Sequence, residues 1–126
     1  MSVERINYIA LKKIASGQVK QDTTCVIKFY SNGCDMCHNL KQYYEDISNN
    51  EEYENIRFFA LNVDRIVGLE EEFGFYGVPS IMLVNTYKRR KIPKIKILAD
   101  PHEPNPQTFY KVKDIKNFIN EHRNDL

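Results

Sequence analysis

The spacing of apolar residues changes along this chain, and each change predicts a switch between helix and strand. Residues 3–16 carry apolar side chains at helical intervals, and Gly17 is placed to end that helix. The expected buried face of this helix comprises Val3, Ile6, Ala10 and Ile14, with Ile9 and Leu11 beside it. Residues 25–30 are mostly apolar, which is typical of a strand buried at the centre of a sheet, and Lys28 is the charged exception.

The rest of the chain continues this alternation. A helical period begins at Cys34 and ends at residues 48–50, with an expected buried face of Cys37, Leu40, Tyr44 and Ile47. Further strands are predicted over residues 56–63, 80–84 and 92–98, and further helices over residues 68–73 and 112–122. A charged hairpin tip is expected at residues 87–91 and a proline-containing loop at residues 100–107. Pro93 indicates that the last strand lies at an edge of the sheet, because proline cannot donate to a ladder.

These patterns predict the order α-β-α-β-α-β-β-α. Such an order implies an α/β protein in which a small mixed sheet has helices on both faces. The 126 residues are enough for one core, and no repeat or linker divides them. We therefore expect a single domain over residues 1–126.

Composition and charge exclude several classes of protein. Charged residues make up 28% of the chain, and 18 basic against 17 acidic side chains leave a net charge of +1. Because the positive and negative charges nearly cancel, the chain has no general attraction to nucleic acid or to a membrane surface. No apolar run approaches the ~18 residues of a transmembrane helix, and the first residues lack the profile of a signal peptide. We expect a cytoplasmic monomer with no nucleic-acid or membrane partner.

Two cysteines, Cys34 and Cys37, carry the candidate chemistry. They follow a polar break at residues 31–33 and stand at the start of the second predicted helix, three positions apart on one face. At this spacing they are close enough to form a disulfide, and a helix N-terminus favours a thiolate. In a reducing compartment, a pair of this kind beside a strand–helix pattern is more often redox-active or metal-binding than structural.

The metal alternative needs further ligands that the sequence does not group together. Structural zinc takes about four ligands, which are often supplied as two such pairs. The remaining candidates, His38, His102, His122 and Cys25, form no second pair. We therefore expect no metal. Cys25 is interpreted as a small core residue, and His38 as either a solvated side chain or one that tunes the cysteine pair.

Three segments together resemble the thioredoxin family. Residues 29–40, Phe-Tyr-Ser-Asn-Gly-Cys-Asp-Met-Cys-His-Asn-Leu, are similar to the active-site segments of thioredoxins and protein disulfide isomerases. Residues 62–64 resemble the family's turn after a strand, and residues 77–80, Gly-Val-Pro-Ser, resemble its cis-proline loop. The resemblance implies a thioredoxin fold, a three-layer α/β/α sandwich around a central mixed sheet.

The same resemblance implies an enzyme, a protein-disulfide oxidoreductase that holds no cofactor. Cys34 would be the attacking thiolate and Cys37 the resolving thiol. Pro79 would follow a cis peptide bond, and the backbone of Val78 would bind an extended substrate chain. The implied partners are protein disulfides as substrates and a reductase or dithiol as electron donor.

Four residues depart from the family pattern and are expected to tune the site. Gly33 replaces the usual Trp before the first cysteine, and Lys28 replaces a buried carboxylate. Lys28 would either favour the thiolate, reach out to solvent or pair with a carboxylate. Asp35 and Met36 lie between the cysteines, where the charge of Asp35 would oppose a thiolate. These departures also leave an alternative function, a thioredoxin-fold docking module with little or no redox turnover.

Overall fold

The computed structural model describes residues 3–88 and 92–124 of the chain. The strands are β1 (Val3–Arg5), β2 (Thr23–Tyr30), β3 (Ile56–Asn62), β4 (Ser80–Thr86) and β5 (Lys94–Ile97). The helices are α1 (Tyr8–Ala15), α2 (Asp35–Ser48), α3 (Leu69–Phe73) and α4 (Val112–His122), with a 3-10 turn at Glu51–Tyr53. No helix in the described ranges is long and apolar enough to cross a membrane.

The five strands form one mixed sheet in the order β1-β3-β2-β4-β5. The first three of these are parallel, whereas β4 is antiparallel to both β2 and β5. The strand β2 is central, as its apolar run predicts, and β5 lies at an edge, as Pro93 predicts.

Side chains that alternate along the strands feed two separate cores, one on each face of the sheet. Helices α2 and α4 cover one face, where Val26 and Ile81 of the sheet meet Leu40 and Ile115. Helices α1 and α3 cover the other face with Leu11 and Leu69. This three-layer arrangement confirms the predicted fold class. The predicted buried face of α2 is also confirmed, since Cys37, Leu40, Tyr44 and Ile47 are all buried.

The first predicted helix is wrong over residues 3–5. These residues form β1, which pairs in parallel with residues 58–60 of β3. The helix begins only at Tyr8, because the side chain of Asn7 accepts a hydrogen bond from the N–H of Ala10 and caps it. The buried face is shifted as well, since Leu11 is fully buried whereas Ile9 is 64% exposed.

The hairpin tip predicted at residues 87–91 is only partly covered. Residues 89–91 lie outside the described residues, whereas the N–H of Lys88 donates to the carboxylate of Asp22. The loop at residues 100–107 is confirmed, and it is tied to α2 because Asn39 donates to the carbonyl of Gln107.

The end of the sheet remote from the cysteines is held by a buried polar cluster. Asn85, which is 4% exposed, accepts a 2.6 Å hydrogen bond from the hydroxyl of Thr24. Its amide nitrogen donates to the carbonyl oxygen of His122, at the last turn of α4. The hydroxyl of Thr24 also lies 3.2 Å from the carbonyl of Arg123. The sheet thus satisfies carbonyls that the end of α4 leaves without helical partners.

Candidate active site

Cys34 and Cys37 form a disulfide at the start of α2, with their Cα atoms 5.2 Å apart. Cys34 is the residue that caps the helix, and its Sγ accepts a 3.0 Å hydrogen bond from the N–H of Cys37. Cys37 is only 1% exposed, whereas Cys34 is partly exposed. One sulfur is therefore accessible and stands where helix N–H groups stabilise negative charge, and the other lies behind it.

The loop before β4 brings a second backbone segment against the accessible sulfur. Cys34 Sγ lies 3.8 Å from the carbonyl oxygen of Val78, and the peptide bond between Val78 and Pro79 is cis. The loop is held in place at Gly77, whose N–H donates a 3.0 Å hydrogen bond to the carboxylate of Glu70. Val78 is partly exposed and Pro79 is buried, so Val78 is the residue of this cis pair that reaches the surface beside Cys34.

A set of hydrogen bonds centred on Asn32 holds the turn that leads into Cys34. The N–H of Asn32 donates to Asp64 Oδ2 at 3.0 Å, and its Oδ1 accepts from Asn62 Nδ2 at 2.9 Å. His38 Nε2 lies 2.8 Å from the carbonyl oxygen of Asn32. We call these four residues the Asn32 clamp. It joins the turn to the end of β3 on one side and to α2 on the other.

Lys28 is buried beneath aromatic rings rather than turned out to solvent. It is 4% exposed, and its Nζ lies 5.6 Å from the ring centroid of Tyr30 and 5.3 Å from that of Tyr44. Burial, assisted by the charge of Lys41 and opposed by Glu45, lowers the pKa of Lys28 to about 8. In the described part of the chain no carboxylate forms an ion pair with it. It therefore neither snorkels nor pairs with an acid, two of the options that the sequence left open.

The other predicted tuning residues surround Cys34 on its solvent side. A Cβ added at Gly33 would meet no atom within 4 Å, so the position of the family's Trp is open space here. Asp35 is the first residue of α2 and is exposed, and Met36 is 38% exposed. The residues next to Cys34 in the chain are therefore an uncrowded glycine before it and an exposed acid and an exposed thioether after it.

The candidates for a metal site are not brought together. Within residues 3–88 and 92–124, no three His, Cys, Asp or Glu side chains are placed to share an ion. Cys25 is 2% exposed in the core beneath α1, and burial raises its pKa to about 11. That environment fits the core role expected from the sequence.

Two features near the disulfide were not found from the sequence. Asn32 belongs to the predicted polar break, and the signal for its role is that an Asn-Gly pair between a strand and a helix is typical of a turn. Tyr76 is 90% exposed, two residues before Val78, while its neighbour Phe75 is buried and stacked on Phe29 at 4.3 Å. Phe75 thus anchors the loop and turns Tyr76 outward. An aromatic residue beside Gly-Val-Pro was the available signal.

The mixed sheet, the helices on its two faces and the paired sulfurs together define a protein of the thioredoxin fold with a cysteine pair suited to thiol–disulfide exchange. The thioredoxin family model matches residues 11–97, and the chain belongs to the thioredoxin family. It is 29% identical over 66 residues to the mitochondrial thioredoxin-2 of Schizosaccharomyces pombe, a match that spans 52% of this chain and 48% of that relative.

Solved structures show the same architecture at low sequence identity. The thioredoxin of Malassezia sympodialis superposes with a TM-score of 0.65 and 20% identity, over 96% of this chain and 90% of that one. The Trx4 domain of ERdj5 does so with a TM-score of 0.71 and 16% identity, over 100% and 99% of the two chains. At these identities the likeness establishes the fold.

Proposed function

We propose that this chain is a thiol–disulfide oxidoreductase that reduces protein disulfides through Cys34 and Cys37. The observation that carries the proposal is the unequal exposure of the two bonded sulfurs at the start of α2. Thiol–disulfide exchange needs one sulfur that a substrate can reach and a second that only the first can reach.

The proposed cycle starts from the reduced pair. The Cys34 thiolate attacks one sulfur of the substrate disulfide, and the other substrate sulfur leaves as a thiolate. Cys37, having lost its proton, then attacks Cys34 Sγ and displaces the second substrate sulfur. Two electrons pass from the pair to the substrate, and the pair ends as the disulfide that the structure contains.

The helix start and the Val78 loop would support both attacks. The N–H of Cys37, which points at Cys34 Sγ in the disulfide, would stabilise the thiolate by a charge-assisted hydrogen bond. The backbone of Val78, a partly exposed residue beside that sulfur, would bind an extended substrate chain, with Pro79 fixing the loop.

Lys28 and Asp35 would tune the pair in opposite directions. With a pKa of about 8, Lys28 is still mostly protonated at pH 7, and a buried positive charge favours a nearby thiolate. Asp35 opposes it but is exposed, where solvent screens its charge. Gly33 and Met36 would shape the surface at which the substrate approaches.

The proposed partners follow from the redox balance. A pair oxidised in each turnover must be reduced by an electron-donating reductase or a second dithiol. We keep the cytoplasm as the proposed compartment and a monomer as the proposed state, since the chain has too few cysteines for a disulfide scaffold and a balanced charge.

The reduction of insulin by dithiothreitol tests the proposal, comparing the unaltered chain with Cys34→Ser. The variant should lose essentially all of the catalysed rate, because no accessible sulfur remains. Cys25→Ala is the matched control, since it removes a buried thiol that is not part of the pair, and it should keep the rate. Equal rates for the unaltered chain and Cys34→Ser would refute the proposal and favour a docking module.

A second experiment separates the roles of the two sulfurs. Cys37→Ser should trap a mixed disulfide between Cys34 and the substrate, because the resolving thiol is missing. Mass spectrometry after non-reducing digestion locates the bond. A mixed disulfide at Cys25, or none at all, would contradict the assigned roles.

A further inference from the structure

The turn before Cys34 has little packing to hold it. Gly33 offers no side chain, no atom lies near the place of its Cβ, and glycine has the greatest backbone freedom of any residue. Asn32 is exposed, so burial does not fix it either. The hydrogen bonds of the Asn32 clamp restrain this stretch of backbone, together with one backbone bond from the N–H of Cys34 to the carbonyl of Ser31 at 3.3 Å.

His38 is the member of the clamp that belongs to the same helix as Cys37. Its side chain reaches back to the carbonyl of Asn32 at 2.8 Å, and its own N–H donates to the carbonyl of Cys34 at 3.2 Å. Because a carbonyl oxygen has no hydrogen, Nε2 of His38 must be the donor in the first of these bonds. His38 therefore spans Cys34 and ties the Asn32–Gly33 peptide, one residue before Cys34, to the helix that carries the second sulfur.

We propose that His38 is a positioning residue for the redox pair, which holds Cys34 at the distance from Cys37 that favours the disulfide. This inference rests on the proposed function, because it assigns a redox consequence to the geometry. The stability of a disulfide depends on the effective concentration of one thiol at the other. Without the bond from His38, the entry to Cys34 gains freedom, the effective concentration falls, and the dithiol becomes relatively more stable.

The equilibrium between the chain and glutathione tests this role on the chain's own disulfide. His38→Ala should lower the equilibrium constant for disulfide formation about 3- to 10-fold, which makes the reduction potential about 15–30 mV less negative. The fraction oxidised is measured by alkylation and mass spectrometry across a series of glutathione buffers.

A conservative variant and a matched histidine control make the test specific. His38→Gln keeps an N–H donor at a similar reach and should restore the equilibrium constant to within about twofold of the unaltered chain. His102→Ala removes an exposed histidine of the 100–107 loop and should change nothing. An unchanged constant in His38→Ala, or a His38→Gln variant that behaves like His38→Ala, would overturn the proposal.

This measurement uses no protein substrate, so it can fail independently of the proposed function. A chain that does not reduce insulin but shows the shift in His38→Ala would refute the function and keep the positioning role. If the unaltered chain reduces insulin normally and His38→Ala leaves the glutathione equilibrium unchanged, the proposed function is kept and the positioning role is refuted. Because His38 is exposed, its variants in the reduced form should unfold at nearly the same denaturant concentration as the reduced unaltered chain, which circular dichroism checks.

Discussion

Asn32 and Asn85 lie at opposite ends of the central strands, and the same type of side chain has a different role at each end. Asn85 is 4% exposed and joins the sheet to the carbonyl of His122 at the end of α4. Asn32 is exposed and joins the turn before Cys34 to Asp64 and other polar groups. Each is held by several hydrogen bonds, so the number of bonds does not distinguish them.

The two ends differ in whether water can replace a hydrogen bond that is lost. The side chain of Asn85 is almost entirely shielded from water, so a bond broken there is poorly replaced and costs about 1–3 kcal/mol. Around Asn32 water can take over each partner, so a broken bond costs little stability. We conclude that the buried end stabilises the fold, whereas the exposed end restrains the geometry of the sulfurs.

The largest expected effect follows from removing the buried asparagine. Asn85→Ala should lower the free energy of unfolding by about 2–3 kcal/mol, because the two hydrogen bonds that its buried amide makes to the hydroxyl of Thr24 and the carbonyl of His122 are lost. Urea denaturation measures the change, and Asn117→Ala on the exposed side of α4 is the control, expected within about 0.5 kcal/mol of the unaltered chain. The glutathione equilibrium should not change. A clear shift in that equilibrium would mean that the two ends are not separate.

Lys28 lies between the two ends, and its buried charge should lower the free energy of unfolding at neutral pH. Its pKa is lowered from 10.5 to about 8, so the unfolded chain binds more protons between these values and stability rises with pH across them. Lys28→Met should therefore be more stable than the unaltered chain by about 1–3 kcal/mol at pH 6.5, with the gain shrinking as pH rises from 8 towards 10.5.

Urea denaturation of the oxidised proteins at pH 6.5 and pH 9.5 measures this narrowing. Lys113→Met, which removes an exposed lysine, serves as the control and should show no pH-dependent difference. A gain from Lys28→Met that is the same at both pH values would place the cause in packing rather than in the buried charge.

Asp64→Ala should show the reverse of the pattern expected at Asn85. It removes the acceptor for the N–H of Asn32 but leaves that group open to water, so the free energy of unfolding should change by less than about 1 kcal/mol. The constant for disulfide formation with glutathione should fall about two- to fivefold, which is about 10–20 mV. Asp46→Ala removes the same charge farther along α2 and should leave the constant unaltered. Loss of stability without a redox shift would reverse the role assigned to the clamp.

The smallest effect is expected at Tyr76, which is a member of neither the Asn32 clamp nor the buried polar cluster around Asn85. Its exposed ring beside the Val78 loop should contact substrate, so Tyr76→Ala should raise the KM for insulin about two- to fivefold with little change in kcat. Tyr76→Phe should keep the KM, and Tyr43→Ala, at another exposed tyrosine, should not alter it. A change in the glutathione equilibrium of Tyr76→Ala would show that the residue acts on the sulfurs instead.

Local signals in the chain were sufficient for much of the fold and for the redox pair. The apolar run of β2, the helical face that begins at Cys37, and Pro93 each reflect a constraint carried by neighbouring residues, namely side-chain periodicity and a missing N–H. The spacing of Cys34 and Cys37 likewise predicts a disulfide within one helical turn. These features needed no knowledge of distant parts of the chain.

Only the tertiary structure decided the features that depend on distant partners. The local pattern of residues 3–5 predicts a helix, but these residues form a strand because they pair with the edge of β3, more than fifty positions away in the chain. The burial of Lys28 depends on the ring of Tyr44 above it, and the hold on Asn32 depends on Asp64 and His38 from other elements. The sequence alone therefore determined which sulfurs form the pair, because their proximity is local. How that pair is held and tuned was decided by contacts that form only when the chain has folded.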